Sequence, residues 1–248
     1  MNPVSQHLDQ LEATERQLLV FARELNQLYQ MERGRSAALE AAHQDMVTTL
    51  ALVVEAKDPS TRAHLQRAHD YAVALAEVVD PALAADQRLR FGFLLHDVGK
   101  IGVPETILTK AGPLDEDEWA VMRTHPEVGE RLVASIKSLL GPAVAVIRSH
   151  HERWDGRGYP DGLRGEETPL AARVFSVCDA FDAMTSDRPY RRALPLEVAF
   201  DQILEGSGTQ FDPQMVDAFG QLAPLLPALH ASLHATGDRV SSRYATCG

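Results

Sequence analysis

The stretch HHERWDGRGYPDG, from His150 to Gly162, decides how the rest of the chain is interpreted. Two adjacent histidines are followed within it by three glycines, one proline and two aromatic residues. Glycine and proline interrupt helices, whereas the sequence on either side has the spacing of amphipathic helices. The stretch therefore predicts a loop that breaks an otherwise helical protein immediately after a pair of imidazoles.

The composition is that of an ordinary soluble globular protein. The 248 residues are 45% hydrophobic and 24% charged, which is enough to bury a sizeable core. The net charge of −11 argues against a nucleic-acid polymer or a membrane surface as partner, although a local basic cluster or a metal ion can still attract a small anion. The two cysteines, Cys178 and Cys247, do not suggest a disulfide framework. Without an apolar run of about 18 residues or a signal-peptide pattern, we expect a cytoplasmic protein.

Helical periodicity dominates the chain, and the predicted fold class is all-α, with no period-2 strand pattern. The N-terminal segment, residues 1–45, repeats apolar residues at seven-residue intervals, with an interruption at Glu32. The repeated positions are Val4, Leu11, Leu18, Leu25 and Leu39, and the repeat continues at Met46. This coiled-coil-like pattern fits either an amphipathic helix on the chain's own core or a helix that pairs with a second copy or an upstream partner. The first helix is then predicted to end near Ala56, and a second to begin near Pro59. The later helices are predicted to cover Ala84–His96, Asp115–Leu132, Pro142–His151, Leu170–Met184, Pro195–Leu204 and Pro213–Leu222.

Histidines and acidic residues beside helix ends form a candidate metal site. His96 and Asp97 close an apolar helix in the motif LLHDVGKIGVP, where Gly99 stops the helix. The further candidates are His125, His150, His151 and Asp179. Imidazole and carboxylate donors without cysteine suit iron or manganese better than a structural zinc ion. Because consecutive helical residues point about 100° apart, His150 and His151 would flank two ions rather than bind one from the same direction.

Each candidate taken alone also has a structural explanation. His125 could cap a helix, and Asp179 could cap a helix or pair with Arg173. His64 alone is typical of a surface or core histidine. The joint pattern favours a metal centre, because each residue would otherwise need a separate explanation. The remaining histidines have no comparable context and are His7, His43, His69, His230 and His234.

Five motifs, in this order, resemble the HD-GYP domain family of the HD phosphohydrolase superfamily. They are HDVGKIGVP, THPEVGERL, HHERWDGRGYPDGL, ARVFSVCDAFDAMTSDRPYR and GTQFDP, and the resemblance spans Thr48 to Leu222. It implies an all-α HD-domain helical bundle with a metal centre, preceded by a long N-terminal helix. It also implies a bacterial metal-dependent phosphodiesterase that hydrolyses cyclic di-GMP to pGpG, and in some members on to GMP. On this basis we assign residues 46–225 to the catalytic domain and residues 226–248 to a C-terminal tail.

The resemblance also implies site residues by position. The implied metal ligands are His64, His96, Asp97, His125, His150, His151 and Asp179. Asp97 is the expected bridging ligand and, with Lys100, carries the catalysis. Lys100 would neutralise charge on the transition state or protonate the leaving oxygen. The implied phosphate-contacting residues are Lys100, Arg188 and Arg191, and the two arginines could instead form only a solvated basic turn.

One position departs from the family pattern and bears on the number of ions. Members with a third metal carry a pattern such as DPETGNH, whereas this chain has DPSTRAH, with Ser60 in place of the glutamate. A serine hydroxyl is a poor ligand for a hard divalent ion compared with a carboxylate. We therefore expect two divalent ions, Fe or Mn, and no third ion, although Glu55 could reach the site from the preceding turn.

The loop that carries Gly156, Gly158, Tyr159 and Pro160 is expected to stand outside the metal pair as a lid or a docking surface. The resemblance implies contact there with a diguanylate cyclase-type partner. Trp154 and Tyr159 could stack on guanine or anchor the loop to the core. A homodimer through the N-terminal helix is a further expectation. Two other functions stay open: a catalytically weak receptor for cyclic dinucleotides, and an HD phosphohydrolase for another cyclic dinucleotide or a nucleotide.

Overall fold

The computed structural model describes residues 3–55, 57, 64–136, 141–187 and 191–233, except for the side chains of residues 3–13 and 55. The described chain contains helices and loops and no β-strand, with isolated bridges between Asp155 and Arg164 and between Ser207 and Phe211. The predicted all-α class is therefore confirmed. Several positions named from the sequence lie outside the described residues: Pro59, Ser60, Arg188, His234, Cys247 and the side chain of His7.

The chain divides into two units, Met1–Met46 and Val47–Gly248, and helix α1, which spans Pro3–Glu55, contributes to both. The helix ends one residue before the predicted position near Ala56. Within the first unit, the apolar repeat is exposed wherever its side chains are described, from 63% at Leu18 to 54% at Met46. An apolar stripe left in water along a long helix is typical of a surface that binds another protein. No helix among the described residues is long and apolar enough to cross a lipid bilayer.

The second unit is built from short helices joined by loops. Its helices are α2 (His64–Val79), α3 (Pro81–Ala84), α4 (Gln87–Leu95), α5 (Glu105–Leu108), α6 (Glu116–Met122), α7 (His125–Val133), α8 (Pro142–Ser149), α9 (Leu170–Thr185), α10 (Leu196–Glu205) and α11 (Pro213–Leu222). Two short 3-10 helices, Val98–Gly102 and Gly165–Glu167, lie between them. Residues 226–233, within the segment that we assigned to the tail, are helical.

Local capping sets where several of these helices begin. Asp86 accepts a hydrogen bond from the backbone N–H of Arg88 at the start of α4, and Asp212 accepts one from Gln214 in α11. Helix α6 begins with a reciprocal capping box between Asp115 and Glu118. These side chains satisfy N–H groups of the first turn, which lack partners within the helix.

Two apolar clusters hold the second unit together. The larger joins α2, α9, α10 and α11 and contains fully buried aromatic rings such as Phe175 and Phe181. The smaller joins α4, α8 and the end of α1 and includes Ile147. Helix α4 contributes to both clusters, through Phe93 to the larger and Leu95 to the smaller. The C-terminal end of α4 is therefore fixed from two sides, and His96 follows it directly.

Two helices predicted as continuous are divided in the structure. The segment Asp115–Leu132 forms α6 and α7, with a break at Arg123 and Thr124. Pro126 causes the break, because it has no N–H to donate to the carbonyl four residues earlier, that of Met122. The segment Ala84–His96 is likewise divided, since α3 ends at Ala84 and the Asp86 cap starts α4.

Candidate metal centre

Two groups of side chains that could hold a metal ion lie within the second unit. The first contains Asp97, His125, His150 and His151, and the second contains His64, His96 and Asp179. Within each group, the candidate ligand atoms lie within 4.8 Å of one another. His150 and His151 belong to the same group, which differs from the prediction that they would flank two ions. All seven metal ligands predicted from the sequence are therefore brought together by the fold, although they come from five separate parts of the chain.

Helix ends supply most of these side chains. His64 is the first residue of α2, His125 is the first residue of α7, and His96 and His150 follow the last residues of α4 and α8. Asp179 lies inside α9 instead. A side chain at a helix end can project into the space where several helices meet. The helices α2, α4, α7, α8 and α9 therefore direct candidate ligands to one region.

The imidazole rings are oriented by backbone carbonyls. The Nδ1 atom of His96 lies 2.9 Å from the carbonyl oxygen of Phe93, and the Nδ1 atom of His125 lies 2.8 Å from that of Met122. His150 Nδ1 lies 3.1 Å from the carbonyl oxygen of Val146. A carbonyl only accepts hydrogen bonds, so each Nδ1 carries the hydrogen and each Nε2 keeps a lone pair for a metal ion. These side chains therefore fit a divalent metal centre.

The Met122 contact also explains how the break in the predicted helix serves the site. The carbonyl that Pro126 leaves without an N–H donor is the one that accepts a hydrogen bond from His125. The same proline therefore ends α6 and leaves an acceptor that orients the ring of His125.

Asp97 belongs to the first group and also contacts the second. Its Oδ1 atom is 3.2 Å from His125 Nε2 and 3.7 Å from His150 Nε2. Its Oδ2 atom is 3.3 Å from His96 Nε2 and 2.6 Å from Lys100 Nζ. One carboxylate oxygen thus faces each group, which is the arrangement required of a carboxylate that bridges two ions.

The ionisation of the site favours metal binding. Burial alone would raise the pKa of Asp97, but neighbouring positive charge, above all that of Lys100, holds it well below its usual range. Burial lowers the pKa of His151 well below its ordinary value, and neighbouring imidazoles lower it further. Ionised carboxylates and neutral imidazoles are the forms that bind metal ions.

The pKa of His64 shows that the carboxylates beside it stabilise positive charge. Burial lowers the pKa of His64, but hydrogen bonds and charges from Asp179 and Asp182 outweigh burial and raise it to about 10. Its Nε2 atom is 3.1 Å from Asp179 Oδ1. A metal ion placed between this ring and this carboxylate would supply the positive charge in place of the proton.

The structure describes two of the three basic residues that were predicted to contact phosphate. Lys100 lies in the site, through its contact with Asp97. Arg191 is exposed and donates a hydrogen bond to the carbonyl oxygen of Ala183, near the end of α9. Arg188 lies outside the described residues, so its assignment stays a prediction.

The glycine-rich loop is fixed by a residue that the sequence analysis did not single out. Glu152 is only 4% exposed, and its carboxylate accepts hydrogen bonds from the backbone N–H groups of Asp161, Gly162 and Leu163. Gly158 packs so closely that an added Cβ would lie 2.4 Å from the backbone nitrogen of Arg153. The loop is therefore tied to the residues that directly follow the two histidines. The sequence signal that could have identified Glu152 was its position directly after the two histidines.

The two aromatic residues of the loop have different contacts. The ring of Tyr159 stacks on His151, with centroids 4.7 Å apart, and so lies against a candidate ligand. The peptide bond between Tyr159 and Pro160 is cis, and Gly156 has a φ of +76° that favours glycine.

Trp154, unlike Tyr159, does not stack on a candidate ligand but lies beside the guanidinium of Arg173, which pairs with Asp212. Arg173 is therefore not the partner of Asp179.

A substitution of Glu152 tests its role in the loop. We expect Glu152→Gln to lower the free energy of unfolding by about 1–3 kcal/mol, because its amide group would face a backbone N–H where a carboxylate oxygen accepted a hydrogen bond. Limited proteolysis should then cut the loop faster. Glu166→Gln, at an exposed position in the 3-10 helix that follows the loop, is the matched control. Equal stability of the two variants would show that Glu152 does not hold the loop.

Asp182 and Arg67 were also missed from the sequence. Asp182 is fully buried, and its Oδ2 atom is 2.6 Å from His64 Nδ1. Arg67 donates hydrogen bonds to both carboxylate oxygens of Asp182. The available signal was a second acidic residue in the apolar helix α9, three positions after Asp179. The other histidines whose side chains are described, His43, His69 and His230, lie outside the two groups; His69, for example, contacts Asp70.

Comparison with known proteins agrees with this class of metal centre. A family model described as HD domain matches residues 48–215. The chain belongs to the HD domain family, and the resemblance to HD-GYP proteins is confirmed. An HD phosphohydrolase domain implies binding of divalent metal ions.

Relatives and a solved structure support the same family. A cyclic di-GMP phosphodiesterase of Vibrio cholerae is 36% identical, covering 73% of this chain and 41% of its own length. A 3'3'-cGAMP-specific phosphodiesterase 2 of the same organism is 35% identical, covering 79% of this chain and 38% of its own length. The crystal structure of a cyclic GMP-AMP specific phosphodiesterase of V. cholerae has a TM-score of 0.58 at 19% identity, covering 79% of this chain and 53% of that one, which supports the fold. The chain spans less than half the length of these two curated relatives.

Proposed function

We propose that the chain is a metal-dependent phosphodiesterase that hydrolyses cyclic di-GMP to pGpG, with GMP as a further product. The observation that carries this proposal is the position of Asp97, with one carboxylate oxygen toward each group of ligands and Lys100 beside it. The relative named a cyclic di-GMP phosphodiesterase supports the choice of substrate.

The ligand chemistry supports two divalent ions, iron or manganese. Each group offers imidazole and carboxylate donors, and no cysteine belongs to either group. The proposed ligands are the seven predicted residues, with Asp97 shared between the ions. Ser60 in place of a glutamate argues against a third ion.

The side chains of the site have distinct roles in this reaction. When bound, two divalent ions withdraw charge from the phosphate oxygens and make hydroxide available near neutral pH. Asp97 holds the two ion sites together. Lys100, held at 2.6 Å by Asp97, supplies a positive charge for the oxygens of the transition state. Arg188 and Arg191 are proposed to clamp the second phosphate of the substrate through paired guanidinium hydrogen bonds.

Two surfaces are proposed to bind protein partners. The exposed apolar stripe of α1 fits a homodimer through the N-terminal helix, because a second copy would remove the same apolar surface from water. The loop from Gly156 to Pro160 is proposed to bind a diguanylate cyclase-type partner. The residues that directly follow it, Asp161 and Gly162, donate hydrogen bonds to Glu152 and would hold it as a fixed surface.

Reconstitution with metal tests the proposed activity. Metal-free protein loaded anaerobically with Fe²⁺ or Mn²⁺ should convert cyclic di-GMP to pGpG or GMP, with about two ions bound per chain. A chelator should abolish turnover, and the same ion should restore it. Chromatography of the products and metal analysis measure both results. Metal-loaded protein that binds cyclic di-GMP without forming product would instead support a catalytically weak receptor.

A second substrate has support from relatives named as 3'3'-cGAMP-specific phosphodiesterases. One of these is about as similar to this chain as the protein named for cyclic di-GMP. The kcat/KM values for cyclic di-GMP, cyclic GMP-AMP and a nucleotide should therefore be compared on the same preparation. A higher value for cyclic GMP-AMP would replace the proposed substrate and leave the chemistry unchanged.

A further inference from the structure

We infer that Asp182, held by Arg67, is a positioning residue that fixes the ring of His64 for metal binding. This inference rests on the proposed function, since it takes the group of His64, His96 and Asp179 to be a metal site. Asp182 is not itself one of the seven proposed ligands.

Two pairs of residues on adjacent helices create the arrangement. His64 and Arg67 lie three apart on α2, and Asp179 and Asp182 lie three apart on α9, so each pair shares one helix face. The His64 ring lies between the two carboxylates. Its Nε2 atom is 3.1 Å from Asp179 and its Nδ1 atom is 2.6 Å from Asp182.

The two carboxylates therefore have different roles toward the same ring. An ionised carboxylate only accepts hydrogen bonds, so Asp182 keeps the hydrogen on Nδ1 and leaves the Nε2 lone pair for an ion near Asp179. Backbone carbonyls do the same for His96, His125 and His150. For His64 the side chain of Asp182 has this role, so a point substitution can remove the contact.

Arg67 determines where the carboxylate of Asp182 points. Its Nε atom donates to Oδ1 at 2.6 Å, and its Nη2 atom donates to Oδ2 at 3.1 Å and to Ser186 Oγ at 2.6 Å. Asp182 is 0% exposed and Arg67 is 6% exposed, so the ion pair is buried. A buried carboxylate needs such a partner, and the planar guanidinium holds both oxygens at once. Oδ2 therefore remains directed at His64.

A double-mutant cycle on metal affinity tests this inference. Metal-free protein is titrated with Mn²⁺ alone, for the native chain, Asp182→Asn, His64→Ala and the double variant. We expect Asp182→Asn to weaken binding of one of the two ions by about 10–100-fold. If Asp182 acts through His64, the double variant should bind Mn²⁺ within about twofold of His64→Ala. Asp201→Asn, an exposed position on α10, is the matched control.

Additive losses in the double variant would overturn the inference, since they would mean that Asp182 acts independently of His64. Unchanged Mn²⁺ affinity in Asp182→Asn would also overturn it. If circular dichroism shows that Asp182→Asn does not fold, Arg67→Lys takes its place in the cycle, because lysine keeps the charge but cannot hold both oxygens. The titration contains no nucleotide. A failure of cyclic di-GMP hydrolysis would therefore reject the proposed function without affecting this result.

Discussion

Asp97→Ala is expected to lose bound metal and hydrolysis together. The substitution removes the carboxylate whose two oxygens face the two ligand groups, and it leaves Lys100 without its partner carboxylate. We expect kcat/KM for cyclic di-GMP to fall by more than about 100-fold, with less than one tightly bound ion per chain. Metal analysis after gel filtration and a product assay at saturating Mn²⁺ measure the two effects.

Asp201→Ala is the control for this variant, because it removes an exposed carboxylate on α10. It should keep both the metal content and the turnover of the native chain. Circular dichroism of the metal-free proteins would show whether the Asp97 variant is folded. If the folded Asp97→Ala protein kept full activity, the account of two ions joined by one carboxylate would be wrong.

Gly99→Ala is expected to have the largest effect on stability. A Cβ atom at this position would lie 1.8 Å from the carbonyl oxygen of His125 and 2.5 Å from the backbone nitrogen of Gly129. Both atoms belong to the backbone of α7, so no side-chain rotation can make room. We expect a loss of about 3 kcal/mol in the free energy of unfolding, which corresponds to a fall in Tm of roughly 6–12 °C.

The same substitution should also lower activity, because it separates Asp97 and Lys100 from His125. Gly220→Ala is a suitable control. Gly220 lies in α11 with no atom within 4 Å of an added Cβ, and alanine should stabilise that helix by up to about 1 kcal/mol. Thermal unfolding followed by circular dichroism compares the two variants. An equal Tm for Gly99→Ala and the native chain would contradict the close packing of this turn against α7.

The sequence predicted best those features that depend on neighbouring residues. The helix from Pro213 to Leu222 was predicted with its observed bounds, because a proline and an aspartate cap mark its start. The division between α6 and α7 was missed, since the helical pattern continues through Pro126. That Pro126 leaves the Met122 carbonyl free to accept a hydrogen bond from the ring of His125 is evident only from the structure.

Contacts between distant residues were predicted only in part. The motifs identified the candidate ligands but not which donors would share a group. Asp182 was missed because its partners, His64 and Arg67, lie 118 and 115 residues away in the sequence. Nothing in the local pattern of α9 distinguishes a carboxylate that faces an ion from one that faces the far side of an imidazole. That distinction depends on how α2 and α9 pack together.

The placement of ligands at helix ends has a consequence for how the protein unfolds. An ion bound by His125, His150 and Asp97 would link α7, α8 and the turn after α4, which are separate elements of the chain. Metal binding and the closure of this part of the bundle are then thermodynamically linked. Above the dissociation constant, each tenfold increase in free ion would add about 1.4 kcal/mol to the stability of the folded chain for each such site. The metal supply of the cell would thereby influence the lifetime of the protein as well as its activity.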